Sequence, residues 1–226
     1  MFGLLHRKLE PPAEAYRSGT PWRMRGRTPL DRARLVVLDT ETTGFRIGQD
    51  RMLTLACVYV SGGQIHVNRL RSWLLFQPAA CINDAVAVHG ILPSESAEGS
   101  PEKEVLTELF PIITGAVLVG HHVSFDASVL DHALRIHFGT GLRNPMIDTA
   151  RLAMAELEAF RRTAYPNQRP PSLDEVCMNL GMPMHDRHTA AGDAFTTAQL
   201  FLLLAARARR RLGRELKLSD FPVKRL

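Results

Sequence analysis

Leu35-Val36-Val37-Leu38-Asp39-Thr40-Glu41-Thr42-Thr43-Gly44 joins an apolar run to two carboxylates and a small, hydroxyl-rich exit. The run Leu35 to Leu38 reads as a short buried strand that ends at Asp39. Side chains at i and i+2 of a strand share a face, so Asp39 and Glu41 stand side by side at the sheet edge. Folding alone does not ask for that, because adjacent like charges repel and raise each other's proton affinity. A hard divalent cation such as Mg²⁺ or Mn²⁺, which takes oxygen ligands, resolves the conflict. An isolated Asp-x-Glu pair is more often a turn cap beside a solvated acid. The Thr42-Thr43-Gly44 tail reverses that balance: small hydroxyl residues and a glycine let the backbone approach a ligand such as a nucleotide sugar.

Downstream, Met52 to Val60 and Gln64 to Leu75 flank Ser61-Gly62-Gly63, which reads as a hairpin and makes the first three strands antiparallel neighbours. Ser100-Pro101-Glu102 opens a helix running to about Ile113, with Ser100 as the capping hydroxyl. A fourth strand, Ala116 to Gly120, leads into a helix through Phe125, Val129, Leu130 and Leu134. Asp148 to Phe160 reads as helical and Pro166 to Pro171 as a loop. Ser172-Leu173-Asp174-Glu175 is a capping box for a short helix ended by Gly181 and Pro183. The last helix runs from about Ala190 into Arg207–Arg211, with Ala194, Phe195, Ala198, Leu202 and Ala205 turned inward. Three strands followed by strand–helix alternation imply an α/β fold, a mixed sheet with helices on both faces.

Two more constellations follow strand and loop ends. In His121-His122-Val123-Ser124-Phe125-Asp126, Asp126 falls in a first helical turn, where a carboxylate also suits the helix dipole. In His188-Thr189-Ala190-Ala191-Gly192-Asp193, five residues at 3.6 per turn forbid a shared helical face. His188 therefore belongs to the loop entering the helix and Asp193 to the helix itself. Alone, each segment reads more readily as surface residues and helix caps.

Charge is unevenly spread. Residues 1–34 carry eight Lys/Arg against three Asp/Glu, residues 207–226 eight against two, and the body between is net acidic within an overall +5. Basic ends around an acidic body suit an enzyme that gathers carboxylates around cations and meets a polyanion elsewhere; solvated tails give the same pattern. Residues 1–34, with Pro11, Pro12, Pro21 and Pro29, read as an extended arm. Cys57, Cys81 and Cys177 form no metal-ligand spacing and read as small buried residues in a reducing cytoplasm. No stretch suits a membrane span, and the first residues lack a secretory cleavage pattern.

Asp39, Glu41, Asp126 and Asp193, with His188 five before the last, together resemble the DEDDh 3′–5′ exonucleases, the family that includes the proofreading epsilon subunit of bacterial DNA polymerase III. The likeness spans residues 35–206 and includes Val88-His89-Gly90-Ile91, Ile147-Asp148-Thr149 and Ser172-Leu173 in the family's order. It implies an RNase H-like fold with a mixed five-stranded sheet, and an exonuclease domain at 35–206 between a basic arm (1–34) and a basic tail (207–226). It also implies two divalent cations, Mg²⁺ or Mn²⁺, bound closest by Asp39, Glu41 and Asp193, with Asp126 holding the second directly or through water. His188 takes a proton from the attacking water in that scheme. Thr42, Thr43 and Gly44 line the terminal nucleotide. His89 either contacts it or is a loop histidine before Gly90, and His121 either helps to position Asp126 or merely closes the strand. Asp148 is read as a helix cap. The family usually has asparagine where this chain has His122, which bears on the orientation of the scissile strand.

The expected activity is release of nucleoside 5′-monophosphates from DNA 3′ ends in proofreading or repair, in the cytoplasm, with a DNA polymerase subunit as a candidate partner. RNA trimming is the neighbouring alternative, since the acids act on a phosphodiester common to both. A polymerase-bound module with secondary catalysis is a rival, against which the intact acid set counts. A kinase-like phosphate site lacks its Gly-x-x-x-x-Gly-Lys-Ser/Thr loop.

Overall fold

The computed structural model describes residues 9–21, 26–78, 84–161 and 168–226. Five strands, β1 (Leu35–Thr42), β2 (Met52–Ser61), β3 (Gln64–Leu74), β4 (Val117–Gly120) and β5 (Met146–Asp148), form one sheet in the order β3-β2-β1-β4-β5. β1 and β3 each pair antiparallel with β2, whereas β1, β4 and β5 run parallel. The β2–β3 hairpin turns through Gly62 and Gly63 at φ 56° and 74°, a conformation that suits glycine. Because β1, β4 and β5 point the same way, Asp39 to Thr42, Gly120 and Asp148 emerge along one edge. That edge carries the site.

Among the described residues there are eight α-helices: α1 (Pro11–Gly19), α2 (Asp84–His89), α3 (Pro93–Ser96), α4 (Glu102–Ile113), α5 (Ser124–Phe138), α6 (Thr149–Glu156), α7 (Leu173–Leu180) and α8 (Ala190–Leu212). Alternation along β1 divides the core. Val36 and Leu38 face a layer built from Tyr16 of α1, Leu106 and Phe110 of α4, and Leu130 and Leu134 of α5. Leu35 and Val37 face Leu152 of α6, Val176 of α7, and Phe201 and Leu204 of α8. The expected helices on both faces are present, and the fold class is as read.

Several local expectations are corrected. Ser100 does not cap α4: its N–H donates to Leu74 O and its carbonyl accepts from Phe76 N, so it extends the sheet edge and the helix starts at Glu102 after Pro101. The helix expected to reach Phe160 stops at Glu156, and Glu158–Phe160 form a separate 3-10 turn. On α8, Phe195 and Leu202 are only half-buried. Ala194, Ala198 and Ala205 are buried as expected, and Phe201, Leu204 and Ala208 complete the core stripe in place of the other two, as a 3.6-residue period gives when counted from Ala194. The Ser172–Glu175 capping box is present in both halves.

The extended arm is also corrected where it is described. Pro11 and Pro12 occupy the first helical positions of α1, where a missing N–H costs nothing. Ala13 and Tyr16 are fully buried. Tyr16 Oη donates to Asn144 Oδ1 at 2.7 Å and accepts from Arg143 N at 2.7 Å. Nor does the chain trail away after α8. Leu216, Leu218 and Phe221 are buried, Leu30 N donates to Leu216 O, and Met146 and Lys224 exchange both backbone hydrogen bonds at the edge of β5. Arg209, Arg211 and Arg214 pair with Glu215, Glu156 and Asp220, which offsets part of the basic cluster. Cys57 and Cys177 are buried free thiols. Cys81, residues 166–167 of the expected loop, and residues 1–8 and 22–25 of the arm lie outside the described residues. Among the described residues no helix is long and apolar enough to cross a membrane.

Candidate active site

Asp39 and Glu41 project from the last turns of the β1 pleat toward the α8 layer, and Asp193 reaches them from the first turn of α8. One carboxylate oxygen from each of the three lies within 4.8 Å of the others. Asp126, in the first turn of α5, approaches from the opposite layer and is anchored to β1: Thr40 donates to Asp126 Oδ1 from its backbone N at 3.0 Å and from Oγ1 at 2.7 Å. Holding one oxygen this way fixes where the other points. All four acids line a cleft of about 850 Å³ together with Thr42, Thr43, Gly44, His89, His121 and His188.

Crowding shows in the proton affinities. Burial, then the charges of Asp126, Asp193 and Glu41, push the Asp39 carboxyl well above the usual carboxylate range. Burial first, then Asp193 and Asp126, raise Glu41 to about 7. Burial also lifts Asp126 to about 7 against the opposing pull of the Thr40 hydrogen bonds. Three acids that resist ionisation together, all offering oxygen, form a donor set that fits a hard divalent cation.

Loop conformation places the histidines. His188 sits at φ 62° in the loop before α8, and His122 at φ 56° after β4. Asparagine and histidine are among the residues that tolerate this left-handed region, so His122 can replace the family's usual asparagine without altering the backbone. Asp148 caps α6 by accepting from Ala150 N and, with the same oxygen, accepts from His122 N at 3.1 Å. The cap thus also fixes the loop leading to α5. Gly192 is demanded by packing: a Cβ there would lie 2.3 Å from the carbonyl oxygens of His185 and Asp186. Thr189 caps α8 by accepting from Gly192 N at 3.1 Å.

The hydroxyls of the β1 exit have local work. Thr42 Oγ1 donates to Gly44 O, Thr43 Oγ1 accepts from Arg51 N, and a Cβ on Gly44 would meet the Asp50 carboxylate at 2.7 Å. These contacts fold the loop that walls the cleft. His121 does not touch Asp126 by hydrogen bond; its ring nitrogens meet Thr149 Oγ1 and Pro171 O, both at 2.9 Å. Burial lowers its proton affinity to about 4. The ring is therefore neutral, donating from Nε2 to the Pro171 carbonyl and accepting at Nδ1 from Thr149. His89, the last residue of α2, accepts from Ile91 N at Nδ1, and burial lowers its proton affinity too. Its Nε2 consequently carries the hydrogen. That buried donor has no partner among the described residues.

The family model of the RNase_T exonucleases matches residues 36–201. The chain belongs to the RNase_T exonuclease family. It is similar to a DNA polymerase III subunit epsilon-like protein of Rhodobacter capsulatus, 33% identical over 180 residues, covering 78% of this chain and 24% of that protein. It is likewise similar to the DNA polymerase III subunit epsilon of Aquifex aeolicus, 30% identical over 168 residues, covering 74% of this chain and 78% of that one. Against the first curated relatives, which include PolC-type polymerases, the chain spans a quarter of their length or less. The crystal structure of E. coli Exonuclease I in complex with a dT13 oligonucleotide superposes with a TM-score of 0.63 at 18% identity, covering 80% of this chain and 43% of that one. At that identity the likeness speaks for the fold.

Within this RNase_T exonuclease domain, sequence reasoning missed three features of the site. Phe45, 85% exposed, packs its ring 5.5 Å from that of Phe125, and both line the cleft. Phe45 follows Gly44 directly, so an exposed aromatic beside the motif was the available signal. Thr40 was passed over as the middle of Asp-x-Glu, though it is the residue that ties β1 to Asp126. Arg187 precedes His188 and forms ion pairs with Asp174 on α7, at 2.5 Å, and with Asp193. A basic residue inside an acidic motif was the clue.

Proposed function

We propose that this domain is a metal-dependent 3′–5′ exonuclease that acts on DNA strand ends and releases nucleoside 5′-monophosphates. The observation that carries the reading is the meeting of Asp39, Glu41 and Asp193 oxygens within 4.8 Å, with Asp126 and His188 on the walls of the same cleft. Asp39, Glu41 and Asp193 would hold divalent cations, Mg²⁺ or Mn²⁺, and Asp126 would complete a second position. Two such ions offset the charge that builds on a phosphodiester during in-line displacement.

The chain's own groups do the rest. His188 accepts a proton from the water that attacks phosphorus. The P–O3′ bond breaks, and the departing 3′ oxygen takes a proton from bulk water, so that the shortened strand ends in a 3′ hydroxyl. His89 Nε2–H offers a donor to an oxygen of the end nucleotide. The exposed Phe45 ring offers a stacking surface for a base, a contact that tolerates any sequence. Both suit an unpaired strand end. DNA is favoured over RNA because relatives similar to this chain are named as DNA polymerase III subunits. The same names support proofreading or repair beside a polymerase subunit in the cytoplasm as the setting.

The test is degradation of 3′- and 5′-labelled DNA and RNA oligonucleotides with Mg²⁺, Mn²⁺ or chelator, beside Asp39→Ala. The expected result is stepwise shortening of DNA from the 3′ end, release of 5′-monophosphates, and loss of activity with chelator or Asp39→Ala. Faster RNA shortening would move the substrate to RNA. Metal-independent cleavage, or cleavage inside the strand, would remove the reading.

A further inference from the structure

Arg187 lies between two acids of unlike standing. Its Nε donates to Asp174 Oδ1, in the first turn of α7, at 2.5 Å, and Nη1 pairs with Asp193 Oδ1, in the first turn of α8. The side chain is 19% exposed, so the contact with Asp193 is little screened by water. Asp193 is one of the three acids whose oxygens converge, and the Arg187 charge pulls down the proton affinities of both Asp39 and Glu41. The guanidinium thus stands against the carboxylate cluster through its contact with Asp193. Its second arm is tied to a residue that does not belong to the cleft.

A divalent cation and a guanidinium satisfy the same electrostatic need, so each makes the other less necessary. With no cation bound, Arg187 offsets the repulsion that would push α8 and the His188 loop away from β1. With a cation bound, Arg187 adds a like charge nearby and weakens its attraction. Asp174 moderates this by neutralising part of the guanidinium charge and by fixing its position. We propose that Arg187 is a resident counter-cation of the carboxylate cluster, a positioning residue that keeps Asp193 and the His188 loop assembled in the metal-free protein at the expense of metal affinity. This rests on the reading of the cluster as a divalent-cation site.

The experiment measures Mn²⁺ binding by calorimetry and thermal unfolding with and without saturating Mn²⁺, using the chelator-stripped full chain. Arg187→Gln should bind Mn²⁺ about tenfold more tightly and should unfold at lower temperature than wild type in chelator, with the deficit shrinking when Mn²⁺ is added. Asp174→Asn should act in the opposite sense on affinity, weakening Mn²⁺ binding, because the guanidinium then presents its full charge to the cluster. Arg187→Lys keeps the charge and should hold Mn²⁺ affinity close to wild type; if Arg187→Gln does not fold, this pair carries the comparison. Unchanged or weaker Mn²⁺ binding by Arg187→Gln, with an equal stability deficit in both conditions, would show a structural brace and overturn the proposal. Wild-type protein that binds no Mn²⁺ would remove the metal reading, and this inference with it.

Discussion

Glu41→Gln should make the metal-free protein more stable at neutral and alkaline pH while abolishing the activity proposed for it. In the unfolded chain Glu41 ionises at its ordinary 4.5, whereas in the folded cleft burial and the charges of Asp193 and Asp126 raise it to about 7. Between those values the folded state holds a proton that the unfolded state has released. Stability therefore falls as pH rises from about 4.5 to 7 and levels off above. At about 1.4 kcal/mol per tenfold change in proton affinity, the penalty at pH 8 is up to ~3 kcal/mol. Glutamine has nearly the same shape and no charge, so it removes that penalty. For a chain of this length, ~3 kcal/mol corresponds to a rise of roughly 6–12 °C in Tm. The assay is thermal unfolding of wild type and Glu41→Gln in chelator from pH 4 to 8.5. The curves should coincide near pH 4 and diverge through pH 7. Saturating Mn²⁺ at pH 8 should close or reverse the gap, because only the wild type has the full ligand set. A variant no more stable than wild type at pH 8 in chelator, or one whose advantage is the same at pH 4, would refute the argument that carboxylate crowding is stored in this cleft.

His188→Ala should lower kcat by about 10²–10⁴, the usual worth of a positioned proton acceptor, while Mn²⁺ binding measured by calorimetry stays within a few-fold of wild type. Tyr16→Phe should cost ~1–3 kcal/mol in chemical denaturation, since it leaves the buried Asn144 Oδ1 without the hydroxyl that donates to it; an unaffected midpoint would return α1 to the status of an appended arm. Phe45→Ala should leave stability within about 0.5 kcal/mol because the ring is exposed. It should nonetheless raise KM for single-stranded oligonucleotides several-fold, and an unchanged KM would withdraw the stacking role.

The sheet was legible wherever a strand carried its own signal. Leu35 to Leu38 announced β1, and Gly62-Gly63 announced the hairpin, because a continuous apolar run and a positive-φ pair each have few alternatives. β5 has only three residues, Met146–Asp148, too short for any period to show; the five-stranded count came from family likeness instead. The helix α1 was hidden by composition. Four prolines in the first 34 residues suggested an extended arm, yet two of them sit where a helix accepts proline. The buried Leu216 and Leu218 alternate with exposed neighbours for too few residues to stand out, and Phe221 breaks that period, so their packing was hidden beneath the basic charge around them.

At the site the division is of another kind. Asp39 and Glu41 were readable from their strand spacing, whereas Asp126 and Asp193 were readable only through the ordered likeness to the exonuclease family. Residues that hold them were not, because each does something unremarkable in isolation. Thr40 is a strand threonine, Asp148 a helix cap, and Gly192 one small residue among three before Asp193. Their roles exist only in the contacts: Thr40 ties β1 to Asp126, Asp148 holds His122 N, and Gly192 lets the His185–Asp186 backbone lie against α8. The two left-handed histidines follow from the same logic. His122 and His188 each turn the chain directly before a helix whose first turn supplies an acid to the cleft. In each case the left-handed residue just ahead of the helix, after β4 for His122 and in the loop from α7 for His188, sets the direction from which that first turn enters the cleft, and so helps to bring three separate segments into one cluster of carboxylates.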